Sequence, residues 1–188
     1  MSLFHTCGLF WHVDDVYFGL PGGQGANRGQ LLGNRERGPF PRPIDFARQI
    51  GVYALYADFE LVYVGQVGRG ANRLLSRLRS HATGDFKGRW NRFSWFGLRW
   101  VKGNGELSNE NDAFHPSREE VLDHAEGIIL QFAEPPLNGQ AGRFRQTLER
   151  YAQVRHEKLG PTRDETVRGV YEGLPAVKTA ADAIAARR

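Results

Sequence analysis

Two tyrosines, Tyr53 and Tyr63, are spaced ten positions apart, and Arg73, Arg77 and His81 follow at intervals of four. Acid–base chemistry on an anionic substrate needs a group that moves a proton, a cation for the charge that develops, and help for the leaving atom. Phenol, guanidinium and imidazole groups are candidates for these tasks. Taken by its spacing alone, the Arg73/Arg77/His81 row reads as a solvated stripe along one helix face. A further group is Glu126, which a helical projection places inside an apolar arc between Leu122 and Leu130. A carboxylate there is partly desolvated, at a cost that either an arginine partner or a metal ion must offset.

The elements that must position these groups are readable from pattern. Gly51 to Tyr56 and Leu61 to Gly65 are rich in Val, Tyr and Leu and flank a polar break at Asp58, so they predict a β-hairpin. Asp58-Phe59 lacks the glycine that two-residue turns favour. A three-residue connection, Ala57-Asp58-Phe59, is therefore expected, with Tyr53 opposite Tyr63 on one face and Val52 and Ala54 opposite Val64 and Val62 on the other. Asn72 to Ala82 predicts a helix burying Leu74, Leu75 and Leu78, and Phe93 to Val101 a third strand that completes a small antiparallel sheet. Ser117-Arg118-Glu119-Glu120 is a capping-box signature for a helix running to about Ala133.

These residues carry a resemblance. Gly51-Val52-Tyr53 and Tyr63-Val64-Gly65 resemble the two motifs of the GIY-YIG nuclease domain, and Arg77-Leu78-Arg79-Ser80-His81 its Arg-Leu-x-x-His helix. Glu126 sits where that family carries its metal-binding Glu, and Pro136-Leu137-Asn138 matches its Pro-x-Asn element. The match covers about residues 51 to 140.

The resemblance implies an α+β fold: a small antiparallel three-stranded sheet flanked by helices, with an N-terminal extension over 1–50 and C-terminal helices over 141–188. It further implies a metal-dependent DNA endonuclease of restriction or phage-defence type, using one Mg2+ or Mn2+ held by Glu126. Arg77 would grip the scissile phosphate through its planar fork. His81 would orient a tyrosine or water, Tyr63 (with Tyr53 second) would be the general base, and Asn138 would support the site. The phenol of an unperturbed tyrosine has a pKa of about 10, so the base needs a lowered one, a shift that Arg77 and the metal would favour. Gly65 would let the backbone turn close to the phosphate, and Arg69, Arg73, Arg79, Lys87 and Arg89 would contact DNA, duplex ahead of single-stranded. Gln66 departs from the family, where many members carry Lys or a small residue. The alternative is a module that binds nucleic acid on this scaffold without turnover.

Composition sets the outer bounds. At 188 residues, with 40% apolar residues and twelve Phe, six Tyr and four Trp, the chain can bury a core and form one domain with extensions. Net charge is +4, unevenly spread: nine basic residues between Gly65 and Lys102 face one acid, Asp85. Such a block, with Trp90, Phe93, Trp95, Phe96 and Trp100 interleaved, suits a polyanion-binding face, although most of these aromatics are expected in the core. The lone Cys7 excludes an internal disulfide and a cysteine zinc cluster. No run approaches membrane-spanning length and the N-terminus lacks a signal pattern, so a cytoplasmic protein is expected.

The apolar stretch within residues 1 to 18 is expected to pack as a strand or two, and could serve a homodimer. Residues 19–43, rich in Gly, Arg, Asn and Pro, predict a long loop whose Arg28, Arg35, Arg37 and Arg42 could touch phosphates. Helices are expected over 144–158, 162–174 and 177–188.

Overall fold

The computed structural model describes residues 3–20, 24–110, 124–129, 132, 148–162, 164–168 and 172. Among these described residues nine strands form: β1 (Thr6–His12), β2 (Tyr17–Gly19), β3 (Arg28–Gln30), β4 (Leu32–Arg35), β5 (Ile44–Asp45), β6 (Gly51–Ala57), β7 (Glu60–Val67), β8 (Arg92–Gly97) and β9 (Glu149–Gln153). Helix α1 spans Leu74–Thr83. Seven strands make one sheet in the order β5-β4-β9-β1-β8-β6-β7, and β2 and β3 pair separately. The pairing is antiparallel except between β1 and β9.

This corrects the expected small three-stranded sheet flanked by helices. Strands β8, β6 and β7 are adjacent as the hairpin and third strand require, but they are one end of a mixed seven-stranded sheet. Two expectations fail for the same reason. Residues 149–153 form β9 rather than a helix, because β1 and β4 on either side supply its backbone partners. Within 19–43 the chain forms β3 and β4 rather than one long loop. The chain divides after His156 into two units. In the second, helical residues 164–168 open on a capping box, in which Glu165 N–H donates to the Thr162 hydroxyl at 3.2 Å and Thr162 N–H to the Glu165 carboxylate at 2.7 Å. The expected helix at 177–188 lies outside the described residues.

Strand alternation sorts the side chains onto two buried faces. Tyr53 and Leu55 of β6, Phe93 and Trp95 of β8 and Trp11 of β1 meet Leu74, Leu75 and Leu78 of α1 in the larger core. Ala54 and Tyr56, Phe96 and Cys7 point the other way and meet Phe4, Ile128 and Phe132. Trp90, Phe93, Trp95 and Phe96 are buried and Trp100 is exposed, so four of the five interleaved aromatics are core. Gly51 is required where β6 meets β8: its φ is +148° and a Cβ would lie 2.0 Å from the Phe96 carbonyl oxygen.

The hairpin differs in register from the expected one. Ala57 pairs with Glu60 and Tyr56 with Leu61, so the turn has two residues. Asp58 supplies the positive φ of 56° in place of glycine, and Asn91 holds it through bonds of 2.7 and 2.6 Å. A bulge then absorbs one residue of β7, so that Leu55 faces Tyr63 and Tyr53 faces Gly65. Turn and bulge compensate. Both tyrosines still project from the same face, two positions out of the expected register.

Candidate phosphate-binding site

Helix α1 begins where Ser76 accepts the Arg73 N–H at 2.9 Å and lies on the Tyr53 face of the sheet. Its four-residue repeat therefore runs Arg77 and His81 past the two phenols. The Tyr53 hydroxyl is 2.8 Å from His81 Nε2, and both phenols act on the Arg77 guanidinium, Tyr53 first and then Tyr63, raising its pKa. The rings of Tyr53 and Tyr63 lie 6.0 Å apart, and that of Tyr63 lies 4.9 Å from His81. Phe86 closes the group, stacked on His81 at 5.0 Å and 18° and touching Tyr63 at 5.2 Å.

The two phenols have different surroundings. Tyr53 is fully buried and Tyr63 only half-buried. Burial pushes the Tyr53 phenol up to about 12, although Arg77 pulls in the opposite direction. Tyr53 is thus a protonated phenol rather than a base, which corrects the expected lowering for that residue. Burial, and then the Arg77 charge, lower the pKa of His81. A neutral His81 pairs with the Tyr53 hydroxyl through Nε2, its tautomer setting which of the two donates.

This arrangement has a pH signature. The unfolded chain binds a proton at a histidine of ordinary pKa, about 6.5, while folded His81 resists it. Its contribution is therefore complete above that value and is lost as pH falls from about 6.5 through the lowered pKa of the folded state. His5, also lowered mainly by burial, acts in the same direction. The melting temperature is expected to fall between pH 7.5 and pH 5, and to fall less in His81→Gln. An equal fall in both proteins would contradict the assignment.

Comparison with family models, curated proteins and solved structures returns no match for this chain.

Gly65 has a different role from the one expected. A Cβ there would lie 2.5 Å from the Tyr53 hydroxyl and 2.8 Å from Tyr63 Cε1, so its bare backbone makes room for the phenols. Arg73 is committed elsewhere, its Nε donating to Glu110 at 2.7 Å. That bond, ahead of the other influences, holds the Glu110 carboxyl below its usual range. Arg79 turns away and donates to the Phe18 carbonyl. Arg69, Lys87 and Arg89 are exposed. Of the four arginines in 19–43, Arg28 lines a cleft of about 660 Å³ in which Arg48, Arg99, Asp45, Glu106 and Glu110 balance the charge, and Arg35 pairs with Glu149 at 2.9 Å.

Glu126 does not join the group. Helical residues 124–129 bury His124 and Gly127, with Ile128 and Phe132 packed among Phe4, Ala54, Tyr56 and Phe96 on the face opposite α1. Glu126 itself is exposed, as are Ala125 and Ile129. The expected half-buried carboxylate is thus corrected: the helix is rotated about its axis, and Glu126 points away from its buried side. An Mg2+ or Mn2+ ion bridging Glu126 to the tyrosine cluster does not fit this arrangement. Among the described residues no three His, Cys, Asp or Glu side chains are grouped to hold a metal. Asn138 lies outside the described residues.

Two members of the neighbourhood escaped the sequence reading. Phe86 was detectable as an aromatic next to Lys87 and Arg89. Glu110 lies in a polar stretch with no local signal, and only tertiary contact brings it to Arg73.

Proposed function

We propose that Tyr53, Tyr63, Arg77 and His81 form a phosphodiester-hydrolysing site for nucleic acid in the cytoplasm, of the kind the GIY-YIG resemblance implies. What carries the reading is the gathering of both phenols, the Arg77 guanidinium they act on and the His81 ring, with the Tyr53 hydroxyl 2.8 Å from His81 Nε2. Arg77 offers planar, fixed donors to a phosphate. Tyr63, the half-buried phenol beside Arg77, is the group positioned to take a proton from water. Tyr53 and neutral His81 are positioning residues that hold the pair. Exposed Lys87 and Arg89, adjacent to Phe86, supply backbone contacts that weaken with salt. Glu126, exposed on a helix packed against the other face of the sheet, does not fit the role of a metal ligand for this cluster.

The position of Glu126 favours a second reading, a module that binds nucleic acid without cutting it. Supercoiled plasmid incubated with Mg2+, Mn2+ or EDTA separates the two. Nicking that requires Tyr63 supports the first reading; salt-sensitive binding with no nicking under any condition supports the second. If the protein neither binds nor cuts nucleic acid, both are wrong.

Among the described residues no helix is long and apolar enough to cross a membrane.

A further inference from the structure

Beside Tyr63 lies a cavity of about 220 Å³ lined by Leu55, Val62, Tyr63, Phe86, Arg89 and Trp90. We propose that it is a nucleobase pocket, receiving one unpaired base of the strand whose phosphate lies against Arg77. The inference rests on the phosphodiester reading and extends it to the form of the substrate.

The size is informative. Pockets for drug-sized ligands occupy about 300–1,000 Å³, so this one admits a single planar ring system and leaves sugar and phosphate outside. Its chemistry agrees. Three of the six walls are aromatic, two are aliphatic, and Arg89 is the one cation among them. A phosphate inside would be desolvated against apolar walls, whereas an uncharged heterocycle would stack on them. Arg89, exposed at the chain surface, is placed to meet the phosphate that stays in water.

The walls are fixed in position. Trp90 is 6% exposed and makes an edge contact with Phe93 at 6.2 Å. Phe86 and Tyr63 are both in ring contact with His81, so a base in the cavity and a phosphate at Arg77 would share the Tyr63 ring as a common wall. A base can reach such a cavity only when unstacked and unpaired. The preferred target is therefore a single strand, a mismatch or a junction ahead of intact duplex.

The test uses equilibrium binding in EDTA, so that cleavage plays no part. Fluorescence anisotropy compares a labelled eight-nucleotide oligothymidylate with an abasic oligomer of the same length and charge. The whole protein is expected to bind the thymidylate about tenfold tighter or more. Val62→Phe, at a position 46% exposed on an edge strand, fills the cavity without disturbing the core and should bind both oligomers equally. Val62→Ala should keep the preference.

Equal binding of both oligomers by the unaltered protein, or a preference that survives in Val62→Phe, overturns the pocket. Loss of preference in Val62→Ala as well would assign the effect to the strand rather than to filling, and also overturns it. Arg77→Ala separates the two proposals, since it should weaken both oligomers by the same factor. If it weakens neither while the base preference persists, the phosphate reading fails and the pocket stands.

Discussion

Replacing Arg77 with alanine is expected to lower plasmid nicking by about 100- to 1,000-fold, the usual consequence of removing one fixed donor from a charge-stabilising site. The size follows from position rather than from charge alone. Arg77 is half-buried and interacts with Tyr53 and Tyr63 together, so its loss removes the phosphate ligand and the cation beside both phenols in one step. Arg77→Lys is expected to recover little. A lysine ammonium is a point charge and cannot present the planar, fixed fork of donors that a guanidinium offers a phosphate. Circular dichroism should show the fold retained in both variants, because the aliphatic contacts of α1 run through Leu74, Leu75 and Leu78. Undiminished nicking in either variant would end the proposed role of the cluster.

The part of this site that was legible in the sequence is the part made by neighbours in the chain. Period-two alternation in Gly51 to Tyr56 and period-four spacing in Arg77 and His81 reflect backbone geometry, and the hairpin delivers one to the other within thirty positions. Even there, the register needed information the pattern lacks. Asn91, distant in sequence, stabilises the two-residue turn at Asp58, and the bulge in β7 restores the face that the shorter turn would have inverted.

The sheet was not legible for a related reason. Strands β1, β4 and β9 pair across more than a hundred positions, and residues 149–153 carry no mark of the two strands that complete their hydrogen bonds. Their spacing of apolar residues, with Leu148, Tyr151 and Val154 three apart, suits a helix equally well. Glu126 fails by a similar ambiguity. Apolar residues surround that helix on more than one side, so a projection allows several buried arcs. The choice of His124, Gly127 and Ile128 over Ala125 and Ile129 comes from packing on Phe4 and Phe96.

Gly65→Ala is expected to destabilise the protein by about 1–3 kcal/mol, the typical penalty for forcing extra volume into a packed site, and to abolish the pairing of Tyr53 with His81. The atom nearest the added methyl would be the Tyr53 hydroxyl, at 2.5 Å, with the ring carbon that bears it at 2.6 Å. Tyr53 has nowhere to retreat, being fully buried beside Leu55, Trp95 and Leu78. A displaced hydroxyl would also leave His81 Nε2 without its partner, adding the cost of an unsatisfied buried group. The two contributions separate in a cycle. In a Tyr53→Phe background the hydroxyl and its hydrogen bond are gone while the ring carbon at 2.6 Å stays, so Gly65→Ala should shift the urea midpoint by less than it does in the unaltered chain, the difference being the hydroxyl's share. Equal shifts in the two backgrounds would mean that Gly65 serves the strand rather than the phenol. Reduced coupling, together with activity lost in Gly65→Ala, would instead tie a glycine with no reactive atom to the placement of the Tyr53–His81 pair.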